Sequence, residues 1–120
     1  MTLADTTLTI GATAMRDAIT HFQLHSADPG AAGTTSPLGT RVANTGSVDS
    51  DGDITWSNIA FTGLSANQAV SWVSYWNAAG TGTPATGGTF RGKMQLTGDT
   101  TANAAGEYTV TSITETGTAT

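Results

Sequence analysis

Short runs of β-branched and aromatic residues, each closed by glycine, proline, asparagine or aspartate, recur along this chain and leave it little choice of architecture. The runs are HFQLH (His21–His25), ITWSNIAFTGL (Ile54–Leu64), AVSWVSYWNA (Ala69–Ala78), TFRGKMQL (Thr89–Leu96) and EYTVTSIT (Glu107–Thr114). Within them apolar side chains alternate with polar ones, the period of a half-buried strand. Between them lie ADPGAAGTTSPLG (Ala27–Gly39), NTGSVDSDGD (Asn44–Asp53) and GTGTPATGG (Gly80–Gly88), whose composition is that of turns and loops. The pattern predicts a mainly β chain, a single antiparallel β-sandwich or jelly-roll-like domain.

One segment departs from the strand period. In GATAMRDAITHF, Ala14, Met15, Ala18 and Ile19 recur at helical spacing, which predicts one short N-terminal helix. The first ten residues, with Leu3, Leu8 and Ile10 among threonines, read as an arm or edge strand. Residues 11–120 then form the single β domain. In ITWSNIAF the apolar set changes phase between Trp56 and Ile59, so a bulge or kink is expected near Ser57–Asn58. The Thr-rich stretch from Gly87 to Val110 reads as strand, long polar turn and strand, a closing hairpin.

A chain of 120 residues without cysteine must hold its core by packing alone, with neither disulfide nor thiolate metal site. The side chains expected to supply that core, or oligomer packing, are Phe22, Leu24, Trp56, Phe61, Trp72, Trp76, Phe90, Tyr108 and Val110. Four Lys/Arg against nine Asp/Glu give a net charge of −5, the wrong sign for gripping phosphates, so no direct nucleic-acid binding is expected. No apolar run is long enough for a membrane helix, and MTLADTTLTIG lacks the cationic start of a signal peptide. The expectation is a chain made in the cytoplasm that stays soluble and meets no membrane.

Reactive groups are sparse. His21 and His25 share a strand face but find no third ligand for zinc, and they read as solvent-facing or interface histidines. DSDGD (Asp49–Asp53) sets carboxylates at alternate positions, like the start of a Ca²⁺ loop, but its glycine, Gly52, stands at the fourth position where an EF-hand needs one at the sixth, and the distal glutamate is missing. It reads as an acidic, solvated turn. Trp56, Trp72, Tyr75 and Trp76 would stack on sugars if exposed, and at strand spacing read as core or interface. Neither histidine sits in a nucleophile motif and no phosphate loop is present, so no enzyme activity and no cofactor are expected.

Four segments taken in order carry a resemblance. LHSADPG (Leu24–Gly30) is similar to the LHTADPG signature of a family of small virion structural proteins of tailed bacteriophages. ITWSNIAF follows where that family has its Trp-containing strand and Ile-x-Phe element. SYWNAAG (Ser74–Gly80) and GGTFRGKMQLTGDTTANAAGEYTVTSIT (Gly87–Thr114) then match its later elements. The resemblance implies a minor capsid or decoration (cement) protein on the capsid exterior, assembled in the host cytoplasm. Its implied partners are the major capsid protein and itself, as a dimer or trimer. Contacts are then expected from the N-terminal arm and the Ala27–Gly39 loop through Leu3, Leu8, Ile10, Pro29, Pro37 and Leu38, with Tyr75 in the oligomer contact. The alternative is a tail-fibre or minor tail module that recognises a host-surface glycan through exposed tryptophans.

Overall fold

Phe22 and Leu24 alternate with His21, Gln23 and His25, so this strand has one oily face and one polar face. A computed structural model describes residues 3–117. In chain order its elements are α1 (Asp5–Ala18), β1 (His21–His25), β2 (Pro37–Ala43), β3 (Ser47–Val48), β4 (Ile54–Phe61), β5 (Trp72–Trp76), β6 (Phe90–Gln95) and β7 (Tyr108–Glu115). Two antiparallel sheets result, β2-β1-β5-β6 and β3-β4-β7. The structure is therefore mainly β with one N-terminal helix, the class read from the strand periods.

The core fills the space between the sheets. Phe22, Leu24, Val73 and Tyr75 meet Ile54, Trp56, Ile59, Phe61, Val110 and Ile113, all buried. Phe22 sits edge-on to both Trp56 and Tyr75, at ring separations of 5.8 and 5.6 Å, while Trp56 and Tyr75 stack at 6.5 Å. Such offset and edge contacts are the favoured aromatic geometries. Val70 and Leu96 close one end of the core.

The expected irregularity at Ser57–Asn58 is present, in an unexpected form. Asn58 takes φ +53°, and inward positions change from Ile54 and Trp56 to Ile59 and Phe61. The β7 partner changes phase at the same level, from Val110 to Ile113. Ser57 pairs with Ser112 and Ile59 with Val110, so no register is lost. Both strands turn over together, a paired kink rather than a one-sided bulge.

Two sequence expectations are corrected. The supposed arm is helical from Asp5 onward, and the predicted helix overlaps the second half of this longer one, which ends at Ala18 and leaves Ile19 as its extended C-cap. Leu8 and Ala12 make the inward stripe, whereas Ala14 and Met15 of the expected face are exposed. Threonine is a poor helix former, but Thr9 Oγ1 donates to the Asp5 carbonyl at 2.8 Å, and Asp5 and Arg16 suit the helix dipole at its two ends. The helix lies against the turn before β4, where Gly52, at φ +82°, lets Leu8 approach; a Cβ there would stand 2.8 Å from that of Leu8. Met1 and Thr2 of the expected arm lie outside the described residues.

The second correction concerns the Thr-rich stretch. β6 and β7 do not pair and belong to different sheets. The segment between them crosses from one sheet to the other, bonding to the chain before β5 through Val70 N–H to Thr100 O and Ala102 N–H to Gln68 O. Its polar residues satisfy their own turn: Asn103 Oδ1 accepts the amides of Ala105 and Glu107, and the Tyr108 hydroxyl donates to Asp99 O at 2.7 Å.

Tyr75 was expected at an oligomer contact and lies in the core instead, 4% exposed. Its hydroxyl has no hydrogen-bond partner, and burial pushes its phenol far above the usual tyrosine range. An unpaired buried hydroxyl is a net cost. Tyr75→Phe is accordingly expected to raise the unfolding free energy in urea by about 1 kcal/mol, and a loss of stability would contradict that reading.

Candidate functional site

The outer face of the first sheet carries the molecule's densest polar chemistry. His21, Gln23 and His25 of β1 stand opposite Trp76, Ser74 and Trp72 of β5. Arg41 reaches the same face because β2 bulges. Between the pairs Phe22–Val42 and Leu24–Leu38, β1 advances two residues while β2 advances four.

A directed chain of hydrogen bonds links these groups. His25 Nδ1 lies 2.7 Å from the Thr35 carbonyl, which only accepts, so Nδ1 carries the proton. Nε2 then accepts from the Ser74 hydroxyl at 2.7 Å, and Ser74 Oγ accepts the Trp76 indole N–H at 2.7 Å. Beside this chain, Arg41 Nε donates to Gln23 Oε1 at 3.1 Å, and Nη1 donates to the carbonyls of Ala78 and Gly87 at 3.1 and 2.8 Å. Gln23 Nε2 donates to the Ala85 and Gly39 carbonyls. The Arg41 guanidinium lies flat on Trp76, 3.7 Å from the ring centre, with no carboxylate at ion-pair distance among the described residues. Neutral carbonyls and a π face balance its charge.

Two loops close over this network. In the loop after β1, Pro29 is fully buried and Gly33, at φ +73°, leaves the space that the Phe90 ring occupies. Asp28 latches that loop to β6 through Lys93 at 2.7 Å. The loop after β5 contributes buried Ala85, whose amide donates to Gly39 O.

Serine, imidazole and an orienting carbonyl in sequence have the connectivity of an activated nucleophile. Here His25 and Ser74 are both 0% exposed, and the Ser74 oxygen also takes the indole proton. Neither residue lines the grooves beside β7 and beside α1, and Oγ is covered by the protein itself. The arrangement ties loops to sheet.

His25 was expected to face solvent or an interface and is instead enclosed. Burial, followed by the nearby Arg41 charge, depresses its pKa below the ordinary 6.5, although the Thr35 carbonyl opposes the shift. His21 moves the same way for the same first two causes. With folded values lowered, the unfolded chain binds more protons below pH 6.5. Their stabilisation is thus fully present above that pH and declines as pH falls through it toward the folded values. Thermal midpoints measured from about pH 7.5 to pH 5 are expected to fall, and His25→Gln should flatten part of the slope. A wild-type midpoint unchanged across the window would contradict the enclosed, neutral histidine.

The remaining expected site residues fall into two groups. Phe22, Leu24, Trp56, Phe61, Trp76 and Val110 are buried; Trp72, Phe90 and Tyr108 are partly so. Trp76 and Phe90 pack edge-on to each other in the outer network, not between the sheets. Of the expected contact residues, Ile10 is 71% exposed, Leu3, Leu8, Pro37 and Leu38 are partly exposed, and Pro29 and Tyr75 are enclosed. Pro29 is enclosed because its loop folds back onto the sheet. Asp49, Asp51 and Asp53 bring carboxylate oxygens within 4.8 Å of one another. Asp49 Oδ1 already accepts the amides of Asp51 and Asp53, and Asp53 Oδ1 accepts that of Gly117, so the cluster serves its own turn.

Gln23, Arg41 and Ser74 carry the network and were not singled out from sequence. The signal was a polar row alternating with the core residues of β1 and β5, a pattern shared with any solvated sheet face. Compared with known proteins, the chain matches no family model, no curated protein and no solved structure.

Proposed function

We propose that this chain is a virion structural protein of a tailed bacteriophage, a decoration protein that binds the assembled capsid from outside. Such a subunit binds only the finished shell and stabilises it by mass action against the pressure of packaged DNA. The reading is carried by the ordered segments LHSADPG, ITWSNIAF, SYWNAAG and GGTF to TSIT. In the fold each has a structural task. The first ends β1 and opens the covering loop, and the second is β4. The third supplies Ser74 and Trp76, and the last spans β6 to β7. The groups that look most reactive are spent on holding loops down, which suits a scaffold and not a catalyst.

Burial of the aromatics favours the shell over the tail. A glycan-binding tail module needs tryptophan faces open to a sugar, whereas Trp56 and Trp76 are 0% and 4% exposed. Trp72 is partly covered and has Lys93 over its ring at 5.3 Å. The shell contact would draw on the exposed Ile10 and the partly exposed Leu3 and Leu38, apolar side chains with no charge of their own to desolvate.

Adding purified protein to particles that lack it tests the reading. Saturable binding to expanded shells, with DNA release moved to higher temperature, is the expected result. Binding to tails or to host envelopes, and none to shells, would overturn it.

A further inference from the structure

Each sheet has two edge strands, and an unpaired edge is a template for another chain unless something blunts it. Three of the four are blunted. β2 opens on Pro37, bulges, and has the Gly39 carbonyl taken by Ala85. β3 is two residues long. β6 carries exposed Arg91 and Lys93 and a register shift opposite Tyr75–Trp76. β7 is the least blunted, its one charge being Glu115 at its last position. It runs eight residues, Tyr108–Glu115, without proline, lysine, arginine or register shift, and nothing among the described residues pairs with its outer side. A groove of about 810 Å³ runs beside it, bounded across the gap by Met94 to Thr97.

We propose that the free edge of β7 pairs antiparallel with β7 of a second copy, joining two three-stranded sheets into one of six strands. The kink makes the strand compatible with itself. Inward Val110 and Ile113 flank exposed Thr111 and Ser112, so the order of buried and exposed positions reads nearly the same from either end. Residues directly opposite in an antiparallel pair point to the same side. With the two-fold axis between Thr111 and Ser112, Val110 faces Ile113, Thr109 faces Thr114 and Tyr108 faces Glu115. A shift of one or two residues either way sets an inward side chain against an outward one. No like charges are opposed in this register, and the outward row is threonine and serine, which suit cross-strand pairs.

The inference stands on the edge geometry and does not rest on the capsid reading; it specifies the interface of the expected homo-oligomer. Light scattering on purified protein at about 100 μM, where a micromolar contact is populated, should give twice the 12.1 kDa chain mass. Thr111→Lys and Ser112→Lys, both at exposed positions, should return it to the monomer with an unchanged circular dichroism spectrum. Because the chain has no cysteine, an equal mixture of Thr111→Cys and Ser112→Cys proteins should also cross-link under mild oxidation, while Thr40→Cys on β2 should not. The cross-link decides the matter should the lysine variants misfold. A monomeric wild type, a dimer that survives both lysines, or an absent cross-link would each overturn this interface. None of those results would bear on shell binding.

Discussion

Trp56→Ala is expected to cost about 3–5 kcal/mol of unfolding free energy in urea. Trp56 is fully buried between the sheets and touches both Phe22 and Tyr75. Its removal opens a cavity that neither sheet can close, because the paired strands on both sides hold their separation. The indole N–H has no partner, so its loss returns a little of the cost. A measured loss below about 1.5 kcal/mol would mean that the sheets relax around the site, contrary to a core set by this aromatic trio.

Arg41→Met is expected to cost about 2–4 kcal/mol, although no ion pair is broken. The cost arises from Gln23 Oε1 and the carbonyls of Ala78 and Gly87, which lose a donor together beneath closed loops. Desolvation of the guanidinium in the wild type offsets part of it. Arg41→Lys should recover little, since an ammonium cannot serve Gln23 and two carbonyls while stacking flat on Trp76. The two effects differ in kind, and protease sensitivity separates them. The arginine variants should be cut first in residues 77–89, before global unfolding, whereas Trp56→Ala should be cut wherever the whole chain opens. An arginine variant with wild-type stability and protection would mean that the loop after β5 is held by something else.

How much of this was legible beforehand follows from which physics each feature uses. The strands from Ile54 to Phe61 and from Tyr108 to Glu115 declare themselves because one face is buried and the other wet, and that alternation is local. The change of phase after Trp56 is equally local. Helix α1 begins earlier than its sequence predicts because Thr6, Thr7 and Thr9 argue for strand. The inward placement of Leu8 and Ala12 overrides them, and it depends on a turn some forty residues away. The supposed hairpin failed for a related reason. A strand, a polar turn and a strand look the same in sequence whether the second strand folds back or crosses to the opposite sheet. The polar network was hidden most completely. Gln23, His25 and Ser74 have the spacing of a solvent-facing row, and only the return of a Pro/Gly-rich loop over them turns that row into an interior.

The proposed capsid role is tested most directly by counting copies of the chain in purified particles of a phage whose genome carries this sequence. Mass spectrometry with isotope-labelled standards, referenced to the major capsid protein, gives the number. Decoration requires a stoichiometry tied to the shell, one copy to every one or few capsid subunits and so hundreds in each particle. A handful of copies, or their recovery with detached tails, would contradict the capsid reading and return the chain to the tail.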